Sequence, residues 1–504
     1  MMNSVTLSQL IEHLKNPEFY PHAVETPIQV VQTHISVVFL TGEYAYKLKK
    51  PVNFGFLDFS TLDKRDYFLN QELTMNKPVA SDIYLEVLPI TRDGENLKLG
   101  GTGDPIEYVL KMRQFPQNCL FSSLFEEGKL TENLIKNLGK LVADFHSQTR
   151  TDEYIKQFGE VEKIKEAFDE NYQQTEKYIE IAQTQKQFEE TKTYTDKFFQ
   201  DNQDLFKQRR EQDKIRECHG DLHLKNICLW NDKIYLFDRI EFNEPFRFVD
   251  VMYDIGFAVM DLDAKGRKDL GNIFLNTYIE QTGDWEGLQV LPLYQSRQAY
   301  VRAKVTSFLL DDPSVDESTK QEAIKSASDY YRLAWGYTQH KSGKLILMCG
   351  LSGSGKTTVA QKLATEINAI HIRSDAVRKH LAGISLSQRG TEAIYTAEMS
   401  QKTYDRLLEL GTMLVKIGYP VILDAKYDRR EWRSAAIAFA ESHQIPLEIL
   451  HCSAPLEMLS DRLKARTTDI SDATPNLLAS QQANFEPFSE TELPYVKTID
   501  TTTV

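Results

Sequence analysis

The apolar run Leu345-Ile346-Leu347-Met348-Cys349 breaks into Gly350-Leu351-Ser352-Gly353-Ser354-Gly355-Lys356-Thr357-Thr358. Every fixed position of G-x-x-x-x-G-K-[ST] is present, with strand character before it and helix character after it. Gly350 and Gly355 bracket a turn whose backbone N–H groups can point at phosphate oxygens, and Gly353 accepts backbone angles that a Cβ forbids. The helix expected to begin near Lys356 adds its positive N-terminal end. Lys356 would reach the β- and γ-phosphates and the Thr357 hydroxyl would ligate Mg²⁺, with Ser352, Ser354 and Thr358 completing the nucleotide-binding set. The cofactors implied are ATP or GTP, and Mg²⁺.

This loop falls about two-thirds of the way along 504 residues, so everything before it needs its own explanation. The length points to about two to four domains, and two, 1–338 and 344–504, joined by a polar linker at 339–343, are the working division. A hydrophobic share of 41% with 26% charged residues is that of a soluble globular chain, and no apolar run is long enough to cross a membrane. The first residues, with Asn3, Ser4 and Thr6, lack a basic region followed by an apolar core, so a cytoplasmic protein is expected. The five scattered cysteines have neither disulfide nor zinc spacing. A net charge of −14 disfavours a broad nucleic-acid surface but leaves room for a local basic pocket. The oligomeric state is not legible.

Alternation predicts strands at 28–31, 36–40 and 44–49, a helix over 62–77, and further strands at 84–90 and 106–113. From 131 to about 214 the pattern is helical and strongly charged, and reads as a partly solvated insertion. Arg297, Arg302 and Lys304, on the later helical segment 294–309, read as a surface charge cluster in the first place and as contacts for an anionic substrate in the second. Between these regions lies His219-Gly220-Asp221-Leu222-His223-Leu224-Lys225-Asn226, followed by two short strands and Phe237-Asp238. An Asp five residues before an Asn, on a loop leading into a hairpin, can orient a substrate hydroxyl while the Asn ligates Mg²⁺. A second Asp at the hairpin's end completes such a metal site.

This constellation resembles the catalytic loop of the aminoglycoside phosphotransferase family, relatives of protein kinases with the signature H-G-D-x-x-x-x-N. The resemblance implies that Asp221 is the base or hydroxyl-orienting residue and that Asn226 and Asp238 are Mg²⁺ ligands. It also implies a strand lysine for the α- and β-phosphates, and a helical glutamate paired with it. Lys47, in Ala45-Tyr46-Lys47, is the first choice, Lys49 on the same strand face is the competitor, and Glu72 is the partner. No G-x-G-x-x-G precedes Lys47; the phosphate-covering turn would fall near 32–36. His223 is either a phosphate neighbour or a loop-stabilising hydrogen-bonder. Asp250 or Asp254 resembles the aspartate that braces the family's catalytic loop.

Past the phosphate loop, Ile370 to Asp375 reads as a strand ending in a carboxylate, with Arg378 one turn into the next helix. Asp375 would accept a proton from a substrate hydroxyl and Arg378 would hold an anionic group. Gly418 to Asp424 reads as an apolar strand ending in a metal-binding carboxylate. Arg462 and Arg466, four apart on a helix, would close over the triphosphate. These features resemble the small P-loop kinases that include zeta toxins, gluconate kinase and polynucleotide 5′-kinases. With about 160 residues after the loop, a ring-forming motor is not expected.

The expected fold class is two-domain, α/β and α+β: a bilobal protein-kinase-like domain, then a P-loop domain with a parallel sheet. The whole resembles fusions described as bifunctional aminoglycoside phosphotransferase/ATP-binding proteins. The resemblance implies a kinase that phosphorylates hydroxyl groups of small molecules at two sites. Two other readings stay open: a regulatory protein with one catalytic and one controlling nucleotide site, and a nucleic-acid 5′-hydroxyl kinase.

Overall fold

The computed structural model describes residues 5–93, 96–466 and 469–503; Asn3 and Ser4 of the expected leaderless N-terminus lie outside them. Its first sheet consists of β1 (Gln29–Gln32), β2 (Ser36–Leu40), β3 (Tyr44–Lys49), β4 (Tyr84–Asp93), β5 (Asn96–Leu99) and β6 (Pro105–Arg113). They pair in the order β1-β2-β3-β6-β4-β5, each pair antiparallel. Side chains alternate across a strand, so β3 serves two faces at once. Tyr46 and Leu48 pack into a core with Leu10, Leu14, Phe39 and Val109, while Lys47 and Lys49 both meet Glu72 on the helix Leu62–Asn76. A second core of Leu69, Ile83, Tyr84, Leu110, Cys228 and Tyr235 lies beneath that helix.

Two elements of this region were not anticipated. The helix Leu7–Leu14 buries only Leu10 and Leu14, but it opens on a Thr6/Gln9 capping box that the sequence did display. Strand β5 is a short, half-exposed edge, too brief for its alternation to stand out.

Further along, β7 (Ile215–Glu217) pairs with β10 (Phe248–Asp250), and β8 (Ile227–Trp230) forms a hairpin with β9 (Lys233–Leu236). The hairpin turn places Asn231 and Asp232 at positive φ, as its tight geometry requires.

Contacts divide the chain into two compact units. One holds the residues up to Thr131 with Gln148–Ile164 and Gln203–Ala258; the other holds Glu132–Ser147, Lys165–Asn202 and everything from Val259 on. In the second unit, β11 (Lys344–Cys349), β12 (Ile370–Arg373), β13 (Pro420–Asp424), β14 (Leu447–Ser453) and β15 (Val496–Asp500) form a parallel sheet ordered β12-β13-β11-β14-β15. Strand β11 is buried along nearly its whole length, as a central parallel strand covered on both faces must be. The helix Glu317–Tyr337 runs almost to β11. Segment 339–343 therefore joins two parts of one compact unit.

Lys304 departs from the expected surface cluster. Its ammonium donates to Asn171 Oδ1 (2.6 Å) and Gln174 Oε1 (2.9 Å) between helices of this unit. Burial, with Arg297 adding, lowers its pKa to about 8.

Candidate active sites

In the first unit, Lys47 Nζ donates to Glu72 Oε1 (2.7 Å) and to Asp238 Oδ1 (2.6 Å). Lys49 Nζ donates to the other oxygen of the same carboxylate, Glu72 Oε2 (2.8 Å), and to Glu241. The two lysines thus share Glu72, but Lys49 is sealed at 1% side-chain exposure whereas Lys47 keeps 14%. Burial opposes every charge here, and proximity decides the outcome. For Lys47, Asp238 and Glu72 outweigh burial and push the pKa up. For Glu72, the two lysines outweigh burial and bring the pKa down to about 2. Glu241 goes up, because burial and the Glu72 charge prevail over Lys49.

The loop 219–226 is held from below. Asp254 accepts the amides of His219 (3.0 Å) and Gly220 (2.8 Å), while Asp250 is occupied by Arg209. Of the two aspartates considered, Asp254 is therefore the one beneath the loop. Gly220 sits at φ 86°, and a Cβ there would lie 2.8 Å from the Phe246 carbonyl.

Asn226 Nδ2 donates to the Asp221 carbonyl (3.0 Å) and carboxylate (3.1 Å), which commits the amide nitrogen and leaves its oxygen for a cation. His223 Nδ1 accepts from the Lys225 amide (3.2 Å), so Nε2 carries the proton and faces Asp221 Oδ2 at 3.3 Å. His223 is thereby a hydrogen-bonder of the 219–226 loop. Asp238 has φ 61°, a left-handed conformation uncommon outside glycine, and its amide donates to the Tyr84 hydroxyl (3.0 Å).

In the second unit, Gly350, Gly353 and Gly355 all take positive φ. A Cβ on Gly350 would fall 2.4 Å from the Cys452 carbonyl. Lys356 begins the helix Lys356–Ile367 and folds back onto the loop, donating to the carbonyls of Gly350 (2.9 Å) and Leu351 (2.8 Å). Burial lowers its pKa, against a weaker pull from Asp424. Ser352 Oγ and N–H are both held by Gln481, and the Ser354 hydroxyl is buried without a hydrogen-bond partner among the described residues. Thr357 Oγ1 donates to Asp424 Oδ2 (2.7 Å) at the end of β13. Burial pushes Asp424 up, but the His371 hydrogen bond and the charges of His371, Arg373 and Lys356 bring it down to about 2.

The other expected residues fall as follows. Asp375 lies in the first turn of the helix Ser374–Leu381, since β12 ends at Arg373; burial and Asp424 raise its pKa against Arg373 and Arg378. Arg378 is buried, donating to the Ile394 carbonyl (3.0 Å) beside the Tyr395 ring. Arg462 reaches the loop, donating to the Thr501 carbonyl (2.5 Å) and lying 3.5 Å from the Gly353 carbonyl. Arg466 stands outside the helix Leu456–Ala465 as its cap, with ψ 118°, and pairs with Asp469 at 3.5 Å. The two arginines therefore do not share a helix face.

Sequence reasoning missed Glu241, His371 and Arg373. Glu241 left no local trace. His371 and Arg373 did, since they are polar residues inside a strand whose four positions are all buried.

A family model described as an AAA domain matches residues 345–488. A Mycobacterium tuberculosis protein named only as uncharacterized is 28% identical over 474 residues, 93% of this chain and 92% of its own length. An adenylyl-sulfate kinase of Chloroflexus aurantiacus is 32% identical over 130 residues, 24% of this chain and 62% of that enzyme. Among solved structures, a choline/ethanolamine kinase family protein from Mesorhizobium loti covers 65% of this chain and 98% of its own, with 11% identity and a TM-score of 0.37. The architecture is two-domain α/β, with a six-stranded antiparallel sheet in its N-terminal part and a P-loop domain with a five-stranded parallel sheet in its C-terminal part. Among the described residues no helix is long and apolar enough to cross a membrane.

Proposed function

We propose that the chain is a bifunctional kinase that uses a nucleoside triphosphate and Mg²⁺ to phosphorylate hydroxyl groups of small molecules at two sites. The observation that carries this reading is a repeated arrangement: a lysine able to face phosphate, oxygen donors suited to a hard cation, and a second carboxylate for the acceptor. In the first site these are Lys47, the pair Asn226 and Asp238, and Asp221; in the second they are Lys356, the pair Thr357 and Asp424, and Asp375. Both metal pairs offer only oxygen, the donor type that Mg²⁺ prefers. When bound, Mg²⁺ neutralises charge on the phosphate oxygens.

Asp221 takes the proton of the acceptor hydroxyl as its oxygen bonds to the γ-phosphorus. The bond from that phosphorus to the β,γ-bridging oxygen breaks, and the electron pair leaves with the diphosphate. Asp375 has the same role in the second site, where its raised pKa suits a proton acceptor. Lys47 and Lys356 hold the phosphates in place. The adenylyl-sulfate kinase relative supports kinase chemistry for the second site. The five free cysteines fit a cytoplasmic protein.

The test is to measure nucleotide consumption by the full chain against a panel of sugars, amino alcohols and nucleotide alcohols. Two acceptor-dependent activities are expected, one lost with Asp221→Asn and the other with Lys356→Ala. Nucleotide binding at both sites with only one transferable acceptor would replace this reading with a regulatory one. Labelling of a 5′-hydroxyl oligonucleotide would favour the end-kinase reading.

A further inference from the structure

Strand β12 is an edge of the parallel sheet, with β13 on one side and, among the described residues, no strand on the other. Edge strands present unpaired N–H and C=O groups that must be covered. Here the cover is the helix Lys268–Thr282, using side chains in place of a neighbouring strand. Asn272 Nδ2 and Asn276 Nδ2 each donate to the Ala369 carbonyl at 2.9 Å. Asn276 Oδ1 accepts the His371 amide at 2.8 Å, and Glu280 lies 3.5 Å from Arg373 Nη1. Residues four apart on one helix face thus meet alternate residues of the strand.

The His371 side chain continues this chain of contacts into the phosphate-loop site. Its Nε2 lies 3.0 Å from Asp424 Oδ2, the oxygen that also accepts from Thr357. The ring and the carboxylate are both buried, at 6% and 4% side-chain exposure. With Oδ2 taken by two protein donors, the carboxylate is fixed in one rotation and Oδ1 is the oxygen left for a metal-bound water.

We propose that His371 is a positioning residue of the phosphate-loop metal site, that it sets the rotation of the Asp424 carboxylate, and that Asn276 mounts it by holding its backbone. This rests on the reading that Thr357 and Asp424 hold Mg²⁺. Partners that orient a metal's ligands act on metal affinity and leave the rest of the ligand's contacts alone. A cavity of about 280 Å³ borders His371, between Asn272, Asn276 and Glu280 on one side and Thr358 and Lys362 on the other. An amide side chain therefore has room to replace the imidazole.

The readout is nucleotide affinity of the full chain, with Lys47→Met in the background to silence the first site, measured with a fluorescent ATP analogue in MgCl₂ and again in EDTA. His371→Ala should lose about tenfold of the affinity gained from Mg²⁺ while its affinity in EDTA stays within about twofold of the parent. His371→Gln, whose amide nitrogen can stand where Nε2 stood, should recover most of that gain, and Asn276→Ala should lose a smaller share. An unchanged Mg²⁺ gain in His371→Ala, or an equal loss in EDTA and Mg²⁺, would overturn the inference. Asp424→Asn with an intact Mg²⁺ gain would overturn the metal reading itself, a failure visible without touching His371.

Discussion

The two sites hold their lysines in opposite electrostatic states. In the first, Lys47 and Lys49 share the buried Glu72, and each also meets a second carboxylate, Asp238 for Lys47 and the buried Glu241 for Lys49. In the second, among the described residues Lys356 donates only to carbonyls of its own loop, and burial lowers its pKa. A buried charge is tolerated when paired and costly when not. In the proposed reading the first site is therefore set up by ion pairs before a nucleotide arrives, and Lys47 would exchange partners to meet phosphate. The second site keeps an under-compensated cation, to which a triphosphate would supply counter-charge in the proposed reading.

The largest expected effect tests this contrast through stability. Lys49→Met would leave Glu241 buried without its cation, and should destabilise the first unit by about 3–5 kcal/mol. Lys47→Met should cost less, about 1–2 kcal/mol, because Glu72 keeps Lys49. Lys356→Met removes a cation with no contacting acid, so the second unit should lose little stability or gain some. Urea unfolding of the three variants measures this. Equal losses at Lys47 and Lys356 would end the distinction, and nucleotide binding at the first site lost with Lys49→Met but kept with Lys47→Met would reverse the assignment of the two lysines.

Rates come next. Asp221→Asn and Lys356→Ala should each slow their own reaction by about a hundredfold or more and leave the other near its original rate. Initial rates with each acceptor, in both single variants and in the double variant, decide it. A strong cross-effect would show that the sites do not work separately.

The same contrast explains how much was legible beforehand. The phosphate loop is contiguous, its glycines answer a local backbone demand, and its lysine begins a helix, so a short window of sequence carries nearly the whole device. The first site is assembled from residues 47, 72, 221–226, 238 and 241. Its motif loop could be read, as could the strand face shared by Lys47 and Lys49. That both lysines would contact one carboxylate could not be read, because this depends on how far the helix Leu62–Asn76 stands from β3. The second site also hid what lay outside the window: His371 bears on Asp424 through tertiary packing, and Asn276, which accepts its amide, sits about a hundred residues earlier. Arg466 shows the complementary error, since four-residue spacing was read as a shared helix face where the helix ends one residue too soon.

The smallest effect is the acid limb of stability, and it separates charges paired by lysines from charges left to burial. Glu72 has its pKa lowered from an ordinary 4.5 to about 2 in the folded chain. Between these values the unfolded state binds more protons, so the stability that Glu72 contributes is complete above about pH 4.5 and is lost as the pH falls through about 2. Glu241 has the opposite sign: its folded pKa is raised, so its contribution declines as the pH rises above 4.5. Glu72→Gln should therefore flatten the acid limb of the first unit, and Glu241→Gln should steepen it. Trp230 is the tryptophan of that unit, and with Trp285, Trp335 and Trp432 replaced by Phe its fluorescence reports unfolding there. Urea midpoints recorded between about pH 6 and pH 3 then give the two slopes. Parallel slopes in the two variants would show that the glutamates titrate as one group and that the lysines do not divide them. Slopes that diverge in the stated directions would show that Glu72 steepens the acid limb and that Glu241 opposes it.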